Sequence, residues 1–180
     1  MSLISGIFNS TAVEIGEDGL VRGNKAVDAS FLAELFSSFL SNGVVGEGAF
    51  RSSLAAEGGM SVATYPGACY IQGYFAYDKQ PELITFPVSP DSRIAARVLR
   101  LDLTDGSIRS FWVVCARAGG VLVSASDGQV LPIRSDTVYD LVTCIVEIPG
   151  NATALMRDWV QDTRGDAALC GFAGLKLATK

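Results

Sequence analysis

The chain has 180 residues, 49% of them apolar and only 18% charged, with a formal net charge of −5. That length buries one contiguous core without disulfides or metal, and the excess of acid disfavours a nucleic-acid binder, which gathers Lys and Arg on one face. A chain so apolar and so sparsely charged hides its side chains more easily in an assembly than as a lone monomer.

Residues 1–27 are Gly-rich and mixed in polarity, with turn signals at Gly16–Gly19 and Arg22–Asn24, and read as an extended N-terminal arm. The start, MSLISGIFNS, carries neither a basic leader nor an apolar run long enough for a signal or a membrane span, so cytoplasmic synthesis without membrane insertion is expected. Asp28 offers an N-cap to an amphipathic helix over about 28–41. Its stripe of Phe31, Leu32, Leu35, Phe36, Phe39 and Leu40 is expected to form one buried face, and Asn42-Gly43 to close it with a left-handed cap. Such a helix is marginal alone in water and must dock, on its own sheet or between subunits.

From Met60 the period changes to two. Met60, Val62 and Thr64 share a face, Pro66-Gly67 turns the chain, and Ala68–Tyr77 reads as one strand in which Gly73 marks a bulge or a close backbone approach. Leu83–Phe86, bounded by prolines, reads as an edge strand. Ile94–Leu103 and Ile108–Ala116 flank Asp105-Gly106, a hairpin signal. A tight turn there sets Leu103 opposite Ile108 and Leu99 opposite Trp112, with Asp102 and Arg109 as a cross-strand ion pair. Val121–Val123 is a short strand, and Tyr139–Ile148, lacking clean alternation, reads as central and buried on both faces. Trp159 anchors a turn or short helix within 151–165. The fold class is therefore α+β, mainly β: an antiparallel sheet or sandwich with one helix, as a single domain over 28–180 after the arm.

The chain contains no histidine, which removes Ser-His-Asp and Cys-His nucleophiles and HExxH zinc sites together. Gly46-x-Gly48 is followed by Arg51 where a dinucleotide fingerprint needs its third glycine. Cys69, Cys115, Cys144 and Cys170 are widely spaced, without a CxxC, and read as free buried thiols. Neither an enzyme, a cofactor nor a metal is expected. The acidic pairs Asp136/Asp140 and Asp158/Asp162, at helical spacing, read as solvated surface. The Tyr-rich segment packs as core and interface or, alternatively, presents Tyr70, Tyr74 and Tyr77 to a saccharide. Asp162 and Arg164 read as a structural clamp, with Asp or Thr capping a turn while the guanidinium spans to carbonyls or a carboxylate.

Five segments follow one another in a distinctive order: SGxFNS at Ser5–Ser10, SNG after the helix, GxxYIxGYFxY at Gly67–Tyr77, RIxxxVLRLDL at Arg93–Leu103 and DTRxDxxLCG at Asp162–Gly171. In that order they resemble tail and baseplate structural proteins of siphophages and prophages of Gram-positive bacteria. Ala95 stands where related chains carry an acid, and Gly119–Gly128 replaces a Pro-rich stretch. The resemblance implies a virion tail or baseplate component, an attachment or connector module for receptor-binding proteins, made in the bacterial cytoplasm and partnered by other tail proteins. It also implies a homo-oligomer, with a trimer favoured and the arm carrying Ile7 and Phe8 packed on a neighbouring copy. Ile7, Phe8, Phe31, Phe36 and Phe39 are then the candidate interface residues. The alternative is a carbohydrate-binding module that contacts a host cell-surface saccharide.

Overall fold

The computed structural model describes residues 13–15, 21–23 and 29–176, with side chains from 32 onward, so Asp28, Ile7 and Phe8, and the side chain of Phe31, lie outside what it describes. Within the arm, β1 (Val13–Ile15) and β2 (Val21–Gly23) form a two-stranded antiparallel ladder, so the arm is not extended throughout. One helix follows, α1 (Ala29–Phe39). It leads to β3 (Gly43–Val45), β4 (Ser52–Leu54), β5 (Ser61–Thr64), β6 (Gly67–Ile71), β7 (Tyr74–Asp78) and β8 (Glu82–Thr85). The long strands β9 (Arg93–Asp102) and β10 (Ser107–Ala118) come next, then β11 (Val121–Ser124), β12 (Val130–Leu131), β13 (Val138–Ile148) and β14 (Val160–Asp162).

The fold is mainly β, with every strand ladder antiparallel. A six-stranded sheet of order β12-β11-β10-β9-β13-β14 is the frame, and two three-stranded sheets, β3-β6-β7 and β4-β5-β8, pack on it. Side-chain alternation explains why the strands at its middle are so apolar. Leu99 and Leu101 of β9 and Leu141 of β13 enclose one core with Val44, Cys69 and Ile71 from the first small sheet. On the same face, farther along, Ala95, Cys144 and Val146 enclose another with Met60, Val62 and Phe86. The opposite face carries Ala96, Val98, Val142 and Ile145, covered by Leu122, Leu131, Ile133 and Leu169 as the β11–β12 edge curls over.

The broken alternation of β13 has a single cause. The β9–β13 register shifts between Val142 and Cys144, so Thr143 is an extra residue and Leu141 and Cys144 point to the same face. Without that bulge every side chain after Val142 would reverse its face.

Several local readings are corrected. Ala68–Tyr77 is two strands, because Gln72 and Gly73 adopt φ of 50° and 94° and close a two-residue hairpin turn between Ile71 and Tyr74. Gly73 also meets α1 closely: a Cβ there would lie 2.3 Å from Ala33 Cα. The β9–β10 loop is four residues, so Ile108 faces Leu101, Arg109 faces Arg100 and Trp112 faces Arg97. Asp102 accepts hydrogen bonds from the N–H and hydroxyl of Thr104 instead of pairing with Arg109, which bonds Asp105. The slip is two residues, an even number, so the faces are preserved. The helix ends at Phe39, and Gly43 is no left-handed cap: it opens β3, where a Cβ would collide with the backbone of Gly171–Ala173.

Candidate interaction surface

The helical stripe does not form one buried face. Ala33 is buried, Leu32, Phe36 and Leu40 are half-buried, and Leu35 and Phe39 stand 37% and 36% exposed. The reason is geometric: α1 lies on the outer side of β3-β6-β7, a sheet too narrow to cover more than one edge of the helix. On that side cross-strand pairing groups Val45 with Ala68, Ala68 with Tyr77 and Tyr70 with Phe75. Tyr70 is fully enclosed, whereas Val45, Phe75 and Tyr77 are 45%, 57% and 70% exposed.

An aromatic train joins the two elements. The ring centroids of Tyr70 and Phe75 are 4.8 Å apart, those of Phe75 and Phe36 5.8 Å in an edge-on contact, and those of Phe36 and Phe39 5.6 Å. Offset and edge-on aromatic pairs of this kind add about 0.5–1.5 kcal/mol beyond area burial. Much of the apolar surface they join nevertheless stays in water. Burial of Tyr70 removes it from any saccharide-presenting face, and its hydroxyl has no partner among the described residues. Tyr74 turns inward, half-buried against the first core, so Tyr77 alone of the three tyrosines is openly displayed.

Below α1 the chain from Asp162 onward is tied down residue by residue. Asp162 ends β14 opposite Cys144. Thr163 plugs the β13 bulge, its N–H donating to Thr143 O at 3.2 Å and its hydroxyl to Val142 O at 2.6 Å. The Arg164 guanidinium donates to both Asp162 carboxylate oxygens, at 2.8 and 2.6 Å, and to the carbonyls of Ala49, at 2.9 Å, and Glu47. The Arg164 guanidinium beside Asp162 holds that carboxyl below the usual carboxylate range. Leu169 O then accepts from Val142 N, and Gly171 O from Val44 N. Beyond it, Ser41 bonds Phe172 O and both backbone groups of Gly174, and Leu40 bridges Leu175. The DTRxDxxLCG segment is thus a strap joining β13 to β3, and the residues that follow it, Phe172–Leu175, tie the chain to the end of α1.

Sequence reasoning missed two ion pairs that each have one enclosed member. Arg97, on the face of β9 between the two cores, reaches Glu82 of β8 through Nε and Nη2 at 3.1 and 2.9 Å and lies 5.2 Å from the Phe50 ring. Arg100, on the other face, grips the fully buried Asp140 at 2.7 and 2.9 Å. Asp140 is therefore neither helical nor solvated, and Asp162 is engaged by Arg164, so the two acidic pairs do not exist as pairs. The alternation R-x-x-R in β9 was the available signal, since it places one arginine on each face. All four cysteines are free and buried; desolvation pushes the thiols of Cys144 and Cys170 up to about 12 and that of Cys69 to about 11. Among the described residues no His/Cys/Asp/Glu group is placed to hold a metal, and no helix is long and apolar enough to cross a membrane.

Comparison with known protein families, with characterised proteins and with solved structures returns no match.

Proposed function

We propose that the chain is a structural component of a phage or prophage tail or baseplate, an attachment or connector module that assembles as a homo-oligomer, with a trimer favoured. The resemblance of its ordered motifs supports this reading. So does the use to which two of those motifs are put: Asp162–Gly171 straps elements together, and the Gly67–Tyr77 hairpin builds a surface. The observation that carries it is the outer face of β3-β6-β7 with α1, where Phe39, Phe75, Tyr77 and Val45 present apolar surface to water. Such patches mark sites of association. A closed ring of identical copies covers one patch per subunit. No catalytic role is part of the proposal.

Light scattering coupled to size exclusion tests the assembly. A particle of about three times 19.0 kDa is expected. A 19.0 kDa species at about micromolar concentration, the range where interfaces of ordinary size hold, would overturn it. Deletion of residues 1–10 is expected to weaken the oligomer if the arm reaches a neighbour. Antibody labelling of induced particles checks location, and label absent from tails would remove the virion assignment.

A further inference from the structure

On the face of the large sheet opposite the aromatic surface lies a cavity of about 380 Å3. Its floor is Arg100 of β9 and Phe111 of β10, and its far wall is the loop joining β11 to β12, with Ser124, Ser126, Asp127 and Gln129. That loop is not slack. Ser124 N–H donates to Gln129 O at 2.8 Å, Gly128 N–H to Ser124 O at 3.0 Å, and Ala125 N–H to Val114 O at 2.8 Å, which pins the turn onto β10. Ser124 is 5% exposed, and its hydroxyl lies 3.0 Å from that of Ser126. The Ser124 hydroxyl and the Gln129 N–H hold the Asp127 carboxyl below the usual range, keeping it an ionised acceptor.

The charges restrict what fits. Arg100 Nε and Nη2 are committed to Asp140, so its positive charge is matched by a buried negative one, and Asp127 then leaves a surplus of acid. A phosphate or carboxylate is repelled. An apolar ligand would strip water from the serines, the amide and the carboxylate without replacing any hydrogen bond. One carboxylate beside hydroxyls and an arginine makes a poor cation site. A neutral molecule bearing several hydroxyls suits this lining, donating to Asp127, exchanging bonds with Ser126 and Gln129, and setting its C–H surface against the apolar part of the wall, Val113 and Leu131 with the edge of Phe111.

We propose that the cavity between Arg100, Phe111 and the Ser124–Gln129 loop is a binding site for a neutral polyhydroxylated ligand of monosaccharide size. It is separate from the Tyr77 surface and from the assembly reading, and stands or falls independently of both.

The test is a titration of the full chain, labelled with 15N, with glucose, galactose, N-acetylglucosamine and rhamnose, and with inorganic phosphate as the anionic probe. Saturable shifts at the amides of Ser124–Gln129 with at least one sugar are expected at concentrations up to about 10 mM. Asp127→Asn combined with Gln129→Ala is expected to weaken that binding about tenfold or more, since the first removes the charge of the acceptor and the second the side-chain amide. Tyr77→Ala should leave it unchanged. Absence of shifts with all four sugars, shifts that survive the double variant, loss of binding in Tyr77→Ala, or phosphate binding at the loop would each overturn the proposal. An unchanged melting curve for the double variant confirms that the loss is local; if it melts early, the single Gln129→Ala exchange on the exposed loop gives the same reading.

Discussion

The sheet β3-β6-β7 carries apolar side chains on both faces, in opposite surroundings. Inward, Val44, Cys69 and Ile71 meet Leu99, Leu101 and Leu141, and none of the six is more than 2% exposed. Outward, Tyr70 is enclosed by its aromatic neighbours while Phe75 and Tyr77 keep more than half their surface in water. Three strands and an eleven-residue helix cannot cover each other fully. The six-stranded sheet supplies a second layer on one side only, and the other side is covered by α1 in part.

The sharpest way to break this contrast is to truncate one side chain in the enclosed core and one on the outer face. Leu141→Ala removes a fully enclosed side chain from between two packed layers and is expected to cost about 4 kcal/mol in urea denaturation, in the upper part of the range for buried leucines. A cost below about 1 kcal/mol would mean that this core collapses readily and that the two faces differ little.

The strap comes next. Arg164→Ala frees the carbonyls of Glu47 and Ala49 and leaves Asp162 without its partner, for an expected loss of about 3 kcal/mol. Arg164→Lys should recover little of it, because an ammonium cannot reproduce the forked geometry. Hydrogen exchange is expected to rise at Val44 and Val142, whose amides bond Gly171 O and Leu169 O. Exchange unchanged there would mean that the strap holds without its clamp.

The Asp162 carboxyl is depressed below its ordinary 3.8, so its bond to Arg164 contributes above that value and is lost as pH falls through the folded one. Stability should therefore decline as pH falls below about 4, and Asp162→Asn should flatten that acid decline. The carboxylate is nearly half exposed, so solvent screens the pair and the effect is small beside loss of the Arg164 side chain. An identical acid limb in the variant would assign the decline to other acids.

The smallest stability effect is expected at the outer face, where Phe75→Ala should cost about 1 kcal/mol or less, chiefly its ring contacts with Tyr70 and Phe36. Its effect on mass in solution should be larger, shifting the equilibrium towards 19.0 kDa subunits. Loss of stability without any change in mass would make this face part of the fold rather than of an assembly.

Local chemistry alone determined most of the strands. Period-two runs set Met60, Val62 and Thr64 inward, prolines confined β8 to an edge, and Asp105-Gly106 placed the β9–β10 reversal. These signals live within a few residues of one another, where φ, ψ and side-chain alternation act directly. What surrounds each element was decided only in three dimensions. The length of the β9–β10 loop followed from Asp102 bonding Thr104 and from Leu103 N–H reaching Thr137 O, a partner thirty-four positions away. The bulge at Thr143 depends on Thr163 filling it from another strand's end. Arg97 and Arg100, three residues apart in one strand, went to opposite faces and found acids on β8 and β13. The stripe of α1 promised a buried face but could not say how wide its partner would be. Periodicity reports which side of an element is apolar, and only the packing of layers reports how much of that side is covered.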